Sequence, residues 1–390
     1  MIHAKHLFQR ALHAAPERLH FAAHSHHPWP DATREAQVAA WDLAAARLDT
    51  KWDVVLGEVY PACQRHVAGV VGLPDPTTLA FASNTHELVY RVLSSLPTDR
   101  PLRVLSTGSE FHSFRRQLER MEEGGRAAWT QIEAEPFPTL AERFAEAVQR
   151  GGWDLVFASH VLFDSGWVFA EAPALLARAA DAGALAVLDA YHSFNAIPYD
   201  HGPFAERVFY TSGGYKYAMS GEGCCFLHCP PGVVPRPDYT GWFAGFDALA
   251  GPRGGVPYPA HGGRFLGSTF DPTALFRLDA TMRTLADEGL DVAAIHAHAR
   301  GLQDRLLACF VDGALGPLRI GELMPAPEAR LGRERARFLT FRRSDAGELQ
   351  QRLLDVNIVT DSRADRLRFG FGLYQDEADV DALAARLRAL

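Results

Sequence analysis

A single lysine beside a glycine-rich segment has the most distinctive chemistry in this sequence. Of the 39 basic residues, only three are lysine: Lys5, Lys51 and Lys216. Lys216 follows the apolar and aromatic run 208–212 and precedes a segment rich in glycine. Arginine cannot lose its proton in a protein, whereas a lysine amine with few charged neighbours can act as a nucleophile. The position of Lys216 therefore predicts an amine that forms an imine with an aldehyde or a ketone, and a solvated surface lysine is the alternative.

Two other segments carry residue types that complement such a lysine. Ser83-Asn84-Thr85 stands where an apolar run meets a predicted helix, so its hydroxyl groups and free backbone amides suit a phosphate. Asp189 ends an apolar strand, where a carboxylate is costly unless it has a cation or a donor as partner. A phosphate loop, a buried aspartate and a reactive lysine, in this order, predict a pyridoxal phosphate site in which Asp189 keeps the ring nitrogen protonated.

The elements that must position these residues follow an α/β pattern. From residue 78 onward, short apolar runs alternate with amphipathic helices, the first of which is predicted to begin near His86. The predicted strands are 78–83, 103–107, 154–160, 185–189, 207–211 and 224–228. Continuous apolar strands that alternate with helices predict a mostly parallel sheet with helices on both faces. Functional groups of such sheets gather at the carboxyl ends of the strands, where Asn84, Asp189 and Lys216 fall.

The length of 390 residues exceeds what one hydrophobic core usually supports. We expect an N-terminal arm with part of a small domain over 1–60 and a large cofactor-binding α/β domain over 61–275. A small C-terminal α+β domain is expected over 276–390, after a helix that is predicted to begin near Pro272.

Composition narrows the classes of function. The net charge of -8 comes without a basic block, which argues against a nucleic-acid partner. Apolar runs long enough for a bilayer and an apolar signal core are both absent from the sequence, so we expect a cytoplasmic protein with no membrane partner. The five cysteines lack the paired spacing of zinc sites and are expected to be reduced and mostly buried. Four histidines within 20–27 stand beside two prolines and no carboxylate or thiol, so we expect a loop near a ligand and no metal site.

Six short motifs occur in an order that resembles one enzyme family. They are Asn84-Thr85, Ser159-His160-Val161, Asp189-Ala190-Tyr191-His192, Tyr215-Lys216-Tyr217, Gly241-Trp242 and Arg368-Phe369-Gly370. Residues from about 75 to 375 are similar to the class V, fold-type-I pyridoxal phosphate enzymes, and most closely to kynureninase. The resemblance implies a transferase-like fold with a mostly parallel seven-stranded sheet, helices on both faces and a smaller α+β domain.

The resemblance also implies the roles of the site residues. Lys216 would bond to pyridoxal phosphate and act as the base, Asp189 would hold the ring nitrogen, and Tyr215 would bind phosphate and relay a proton. The other implied cofactor contacts are Asn84, Thr85, Phe111, His112, His192, Trp242, Ser268 and Thr269. Of these, the Trp242 and 267–269 segments would reach the phosphate of a second subunit, which implies a homodimer with shared active sites. Arg368 would bind the α-carboxylate of an amino-acid substrate, and His24 and Ser25 would face that substrate.

Kynureninase-like activity would be hydrolytic cleavage of the Cβ–Cγ bond of a γ-keto amino acid. The sequence departs from the family on the substrate side: a Phe-Pro-Thr/Ser-Asp segment is Phe111-His112-Ser113-Phe114 here, and an Asn-Ser-Leu-Gly loop is His24-Ser25-His26-His27. We therefore expect an amino acid related to kynurenine rather than kynurenine itself. The alternative is that these loops have changed while the same aryl ketone still fits. Glu110-x-His112 is similar to the cysteine desulfurases, in which a histidine stacks on the cofactor ring.

Three other functions stay open from the sequence. The first two are a class V aminotransferase and another side-chain lyase of the cysteine desulfurase type. The segment before Arg368 has no cysteine to act as a desulfurase nucleophile, which weighs against the latter. A non-catalytic regulator that binds the cofactor is disfavoured because the predicted domain is not preceded by a helix-turn-helix segment.

Overall fold

Apolar strands whose alternate residues face opposite helical layers build the larger of two main sheets. In the strand over residues 155–159, Leu155 and Phe157 pack into one hydrophobic core, while Val156 and Ala158 pack into the core on the other face. The computed structural model describes residues 2–249, 251, 254–330 and 333–390. Because both faces of the strand over residues 155–159 are buried, its first four residues are all apolar and do not alternate with polar ones.

The strands and α-helices within the described residues have the following bounds. The strands are β1 (Leu19–His20), β2 (Leu79–Ala82), β3 (Leu102–Thr107), β4 (Ala127–Ile132), β5 (Leu155–Ser159), β6 (Leu185–Asp189), β7 (Val208–Gly213), β8 (Cys225–His228), β9 (Ala314–Leu315), β10 (Leu318–Arg319), β11 (Leu323–Met324), β12 (Phe338–Arg342), β13 (Ile358–Val359), β14 (Asp361–Arg363) and β15 (Arg366–Gly370). The helices are α1 (Gln9–His13), α2 (Ala32–Arg47), α3 (Lys51–Val54), α4 (Tyr60–Val71), α5 (Thr85–Leu93), α6 (His112–Glu123), α7 (Leu140–Arg150), α8 (Ala172–Asp181), α9 (Thr273–Asp287), α10 (Val292–Ala308), α11 (Ala346–Asp355) and α12 (Glu377–Arg388). None of the described helices is both long enough and apolar enough to cross a membrane.

The large sheet has seven strands in the order β2-β8-β7-β6-β5-β3-β4. Strands β3 to β7 pair in parallel, while β8 pairs antiparallel with both β2 and β7. This confirms the predicted sheet, and six of its strands lie where the sequence placed them. The strand that the sequence did not reveal is β4, which lies at the sheet edge. Only the first of its six residues is buried, and Thr130 and Gln131 interrupt its apolar residues, so it lacks the signal of a buried strand.

A second sheet of four antiparallel strands, β11-β12-β15-β14, lies in the C-terminal part of the chain. The N-terminal segment joins this region, since β1 pairs in parallel with β13 and Ala22 forms a β-bridge with Gly370. The loop that follows Ala22 is thereby held against the C-terminal strands. The predicted helix near Pro272 is α9, which begins at Thr273. The domain boundaries near residues 60 and 275 stay a prediction.

Candidate active site

A cavity of about 500 Å³ opens at the carboxyl ends of the central strands of the large sheet. It brings together most of the residues that the sequence selected: His24, Ser25, Asn84, Thr85, Phe111, Asp189, His192, Tyr215, Lys216 and Arg368. These residues come from loops that follow different strands, from the N-terminal segment and from β15. The cavity is therefore assembled from distant parts of the chain, as the predicted site requires.

Lys216 follows β7 and lies inside the cavity rather than on the outer surface. Its Nζ is 2.6 Å from Nε2 of His192 and 4.9 Å from the ring centre of Tyr191. Burial lowers the pKa of Lys216 to about 7, although the negative charge of Asp189 acts in the opposite direction. Burial also keeps the pKa of His192 well below its ordinary value, so this ring is neutral and its Nε2 can accept a hydrogen bond from Nζ. These surroundings favour a reactive amine over a solvated lysine.

The lowered pKa predicts how the amine reacts with pH. The fraction of neutral Lys216 should rise about tenfold between about pH 6 and pH 8, because only the deprotonated amine is nucleophilic. The rate at which cofactor-free protein captures pyridoxal phosphate, followed by absorbance, should rise in parallel. Lys5→Arg is the control: burial acts to lower the pKa of Lys5, but hydrogen bonds to Asp379 and Asp376 raise it overall. A capture rate that stays flat across this range would show that Lys216 is not the reacting group.

Asp189 ends β6 and faces the same cavity. Its Oδ1 accepts a hydrogen bond from the Tyr191 amide at 2.9 Å. Burial raises the pKa of Asp189, while the Tyr191 amide and the charge of Lys216 act to lower it. A half-buried carboxylate that accepts a backbone hydrogen bond and faces a cavity is suited to a second donor with positive charge, such as a protonated pyridine nitrogen.

The N-terminus of α5 forms another wall of the cavity. The Asn84 side chain accepts a hydrogen bond from the Glu87 amide at 2.8 Å and so caps the helix. The Asn84 side-chain oxygen is therefore already used by the helix. The groups suited to a phosphate are the Thr85 hydroxyl and the backbone amides of the first turn. Tyr215 lies on the same cavity, and its hydroxyl is 3.0 Å from Nδ1 of His26.

Glu110 is a buried acid that the sequence analysis noted only as part of a motif. It accepts hydrogen bonds from the Thr107 hydroxyl at 2.6 Å and from the hydroxyl and amide of Ser159. Burial raises the pKa of Glu110 to about 7, and the nearby charge of Asp189 acts in the same direction. Glu110 thereby fixes Ser159, which lines the cavity. In the sequence, the sign of this role is the position of Glu110, an acidic residue that follows shortly after the apolar run of β3.

Phe111, and not His112, lies on the cavity wall. The Phe111 ring centre is 5.6 Å from Nζ of Lys216. His112 begins α6, and its ring lies 5.1 Å from that of Phe163. Of the two neighbouring residues that the resemblance places at the cofactor, the structure therefore brings Phe111 and not His112 to the cavity.

Trp242, Ser268 and Thr269 do not reach the Lys216 cavity within one chain. Ser268 and Thr269 line a separate cavity of about 400 Å³ beside Arg91, and Trp242 is 42% exposed on the surface. These three residues therefore do not belong to the Lys216 cavity of their own subunit. Their contact with the site of a partner subunit stays a prediction.

The C-terminal hairpin supplies a cationic wall. Arg368 donates hydrogen bonds to the Phe163 carbonyl and to the Asp361 carboxylate. His24 is fully buried against the Phe338 ring, with centroids 4.8 Å apart, and lies 3.6 Å from Asp361. Arg363 also lines the cavity, although the sequence analysis did not select it. Its signal was the spacing Asp361-x-Arg363, which places both residues on one face of a strand.

Comparison with known proteins supports the fold more strongly than a detailed activity. No family model matches the chain. A kynureninase from Pseudomonas fluorescens is 28% identical over 225 residues, which cover 56% of this chain and 51% of the relative. The match thus spans about half the length of that curated relative.

Solved structures agree with the chain over nearly its whole length. The cystine C–S lyase C-DES, in a form with glycine covalently linked to its PLP cofactor, matches with a TM-score of 0.81 and 17% identity over 98% of both chains. The cysteine desulfurase CsdA from Escherichia coli matches with a TM-score of 0.76 and 16% identity over 96% of this chain and 94% of that one. The protein therefore has the fold of the class V pyridoxal phosphate enzymes, as the sequence predicted.

Proposed function

We propose that this protein is a pyridoxal phosphate enzyme that cleaves the side chain of an amino acid. The observation that carries the proposal is one cavity lined by a lysine of lowered pKa, a half-buried aspartate and a helix N-terminus. These groups match the aldehyde, the ring nitrogen and the phosphate of the cofactor. When bound, pyridoxal phosphate supplies a ring that accepts electrons from the substrate Cα.

The residues that line the cavity have different roles in the proposed reaction. Thr85, the first turn of α5 and Tyr215 hold the phosphate, and Asp189 keeps a proton on the ring nitrogen. Lys216 removes the proton from the substrate Cα, since its lowered pKa leaves much of the amine neutral near pH 7. His192 orients Nζ through their 2.6 Å contact.

The finer activity we propose is kynureninase-like hydrolytic cleavage of the Cβ–Cγ bond of a γ-keto amino acid. Its support is the partial match to the Pseudomonas fluorescens kynureninase together with the order of the six motifs. The substrate is proposed to differ from kynurenine because the cavity wall carries His24 and Ser25 where the family has other residues.

A C–S lyase is the second candidate, supported by the cystine C–S lyase and cysteine desulfurases among the similar structures. A desulfurase that uses a cysteine nucleophile has less support within the described residues. Cys225 is the cysteine on the cavity wall, and burial raises the pKa of its thiol to about 11. The four other cysteines do not line this cavity. The alternatives that the assay must distinguish from kynureninase-like hydrolysis are a lyase that needs no cysteine and an aminotransferase.

A panel of substrates tests the proposal. Purified protein is loaded with pyridoxal phosphate and given L-kynurenine, 3-hydroxykynurenine, L-cystine and L-cysteine, with and without a keto acid. We expect alanine from γ-keto amino acids without a keto acid, and a kcat/KM for kynurenine below about 10⁴ M⁻¹s⁻¹. A higher value would identify kynurenine as the substrate. Release of pyruvate and a persulfide from cystine would favour the lyase, and dependence on a keto acid would favour aminotransfer.

A homodimer with shared sites is the proposed assembly. The Ser268–Thr269 cavity is polar and holds a buried arginine, Arg91, so a group from a partner's site could bind beside it. Sedimentation at micromolar concentration should show a dimer, and Trp242→Ala should weaken cofactor retention. A monomer that keeps the cofactor fully bound would contradict this assembly.

A further inference from the structure

The β14–β15 hairpin places three charged residues on one face by strand geometry alone. Asp361 and Arg363 are two positions apart in β14, so their side chains leave the same face. Asp361 is directly opposite Arg368 in the antiparallel ladder, which brings the Arg368 side chain to that face as well.

The Asp361 carboxylate bridges the two guanidinium groups. One oxygen accepts a hydrogen bond from Nη1 of Arg363 at 2.7 Å, and the other accepts one from Nη2 of Arg368. Burial acts to raise the pKa of Asp361, but His24 and the charges of the two arginines lower it well below its ordinary value. His24 itself stays neutral, because burial and the charge of Arg368 lower its pKa to about 3. The cluster therefore carries one net positive charge.

The two arginines differ in how many donors remain free. Arg368 is 3% exposed and already donates to Phe163 and Asp361. The Arg363 side chain is 47% exposed, and within the described residues its hydrogen bonds involve only Nη1, to Asp361 and to the Ser362 carbonyl. Nε and Nη2 of Arg363 are therefore available on a residue that lines the cavity.

The geometry points to Arg363 as a further substrate-binding residue, which together with Arg368 binds the carboxylate of the amino-acid substrate. Asp361 is the positioning residue that holds the two guanidinium groups side by side. A carboxylate has two oxygens, so each can accept from a different guanidinium while Asp361 keeps the pair from repelling each other. This inference rests on the proposed function, since it assumes an amino acid in the cavity.

Binding of L-alanine and of L-alaninamide, which lacks the carboxylate, tests the inference. Calorimetry is performed on protein loaded with pyridoxal phosphate, with cofactor absorbance as a check of the site. Arg363→Gln should lower the preference for alanine over alaninamide about tenfold and leave the absorbance unchanged. If both arginines bind one carboxylate, the double variant Arg363→Gln/Arg368→Gln should lose less of the preference for alanine than the product of the two single-variant losses.

Arg366→Gln is the matched control. Arg366 belongs to the same hairpin and pairs with Asp365 and Glu135, but it does not line the cavity. This variant should keep the full preference for alanine. If Arg363→Gln also keeps it while the unmodified protein discriminates, Arg363 has no part in binding and the inference fails alone. If the unmodified protein binds no cofactor, or binds both ligands equally, the proposed function fails and the inference fails with it.

Discussion

Replacing Lys216 by alanine should lower turnover of the best amino-acid substrate at least about 10³-fold, because the variant loses its general base. It should also lose the covalent attachment of pyridoxal phosphate after borohydride reduction. Peptide mapping of the unmodified protein should place that attachment on Lys216. The change removes a side chain from the cavity wall and leaves β7 intact, so folding should be preserved.

Lys51→Ala is the matched control for this experiment. Lys51 begins α3 and lies near the Trp52 ring, away from the residues that line the cavity. Turnover and covalent attachment should both survive this change. Attachment at Lys51 or Lys5 in the unmodified protein, or full activity of Lys216→Ala, would exclude Lys216 as the reactive amine.

Replacing Asp189 by asparagine should reduce turnover about 10²–10³-fold, an effect typical of losing one well-placed electrostatic partner. Asparagine keeps the shape and can still accept from the Tyr191 amide. It lacks the negative charge that holds a proton on the ring nitrogen. Steady-state rates with the best substrate of the panel measure the loss, and cofactor absorbance shows whether the site is still filled.

Asp181→Asn separates a local effect from a general loss of charge. Asp181 is an exposed carboxylate at the end of α8, paired with Arg207 on the surface. Its replacement should leave the rate unchanged. A normal rate for Asp189→Asn would mean that the ring nitrogen needs no anionic partner in this protein.

Much of the cavity wall that we propose for the cofactor was predictable because it depends on local patterns. Asn84 and Asp189 stand where buried apolar strands end, and Lys216 follows such a strand. The parallel arrangement of β5, β6 and β7 brings their carboxyl ends to one edge. Position along the chain was therefore enough to place these residues around one cavity.

The substrate side was harder to predict because it depends on contacts between distant segments. Phe111 and His112 are neighbours in the sequence, and only the start of α6 decides which ring faces the cavity. The role proposed for Arg363 requires the register of β14 against β15, which no single stretch of sequence specifies. The buried position of His24 against Phe338 likewise arises only when both ends of the chain meet.

The pairing of the N-terminal segment with the C-terminal strands has a consequence for how the protein folds as it is synthesised. The His20 ring is 2.6 Å from the Tyr374 hydroxyl, a contact across 354 positions of the chain. The segment around His20 is synthesised long before the C-terminal strands, so it must wait for those strands before it can pair with them. The large sheet can form meanwhile, but the loop that carries His24 stays unpaired. Ligand binding should thus be among the last properties that a nascent chain acquires.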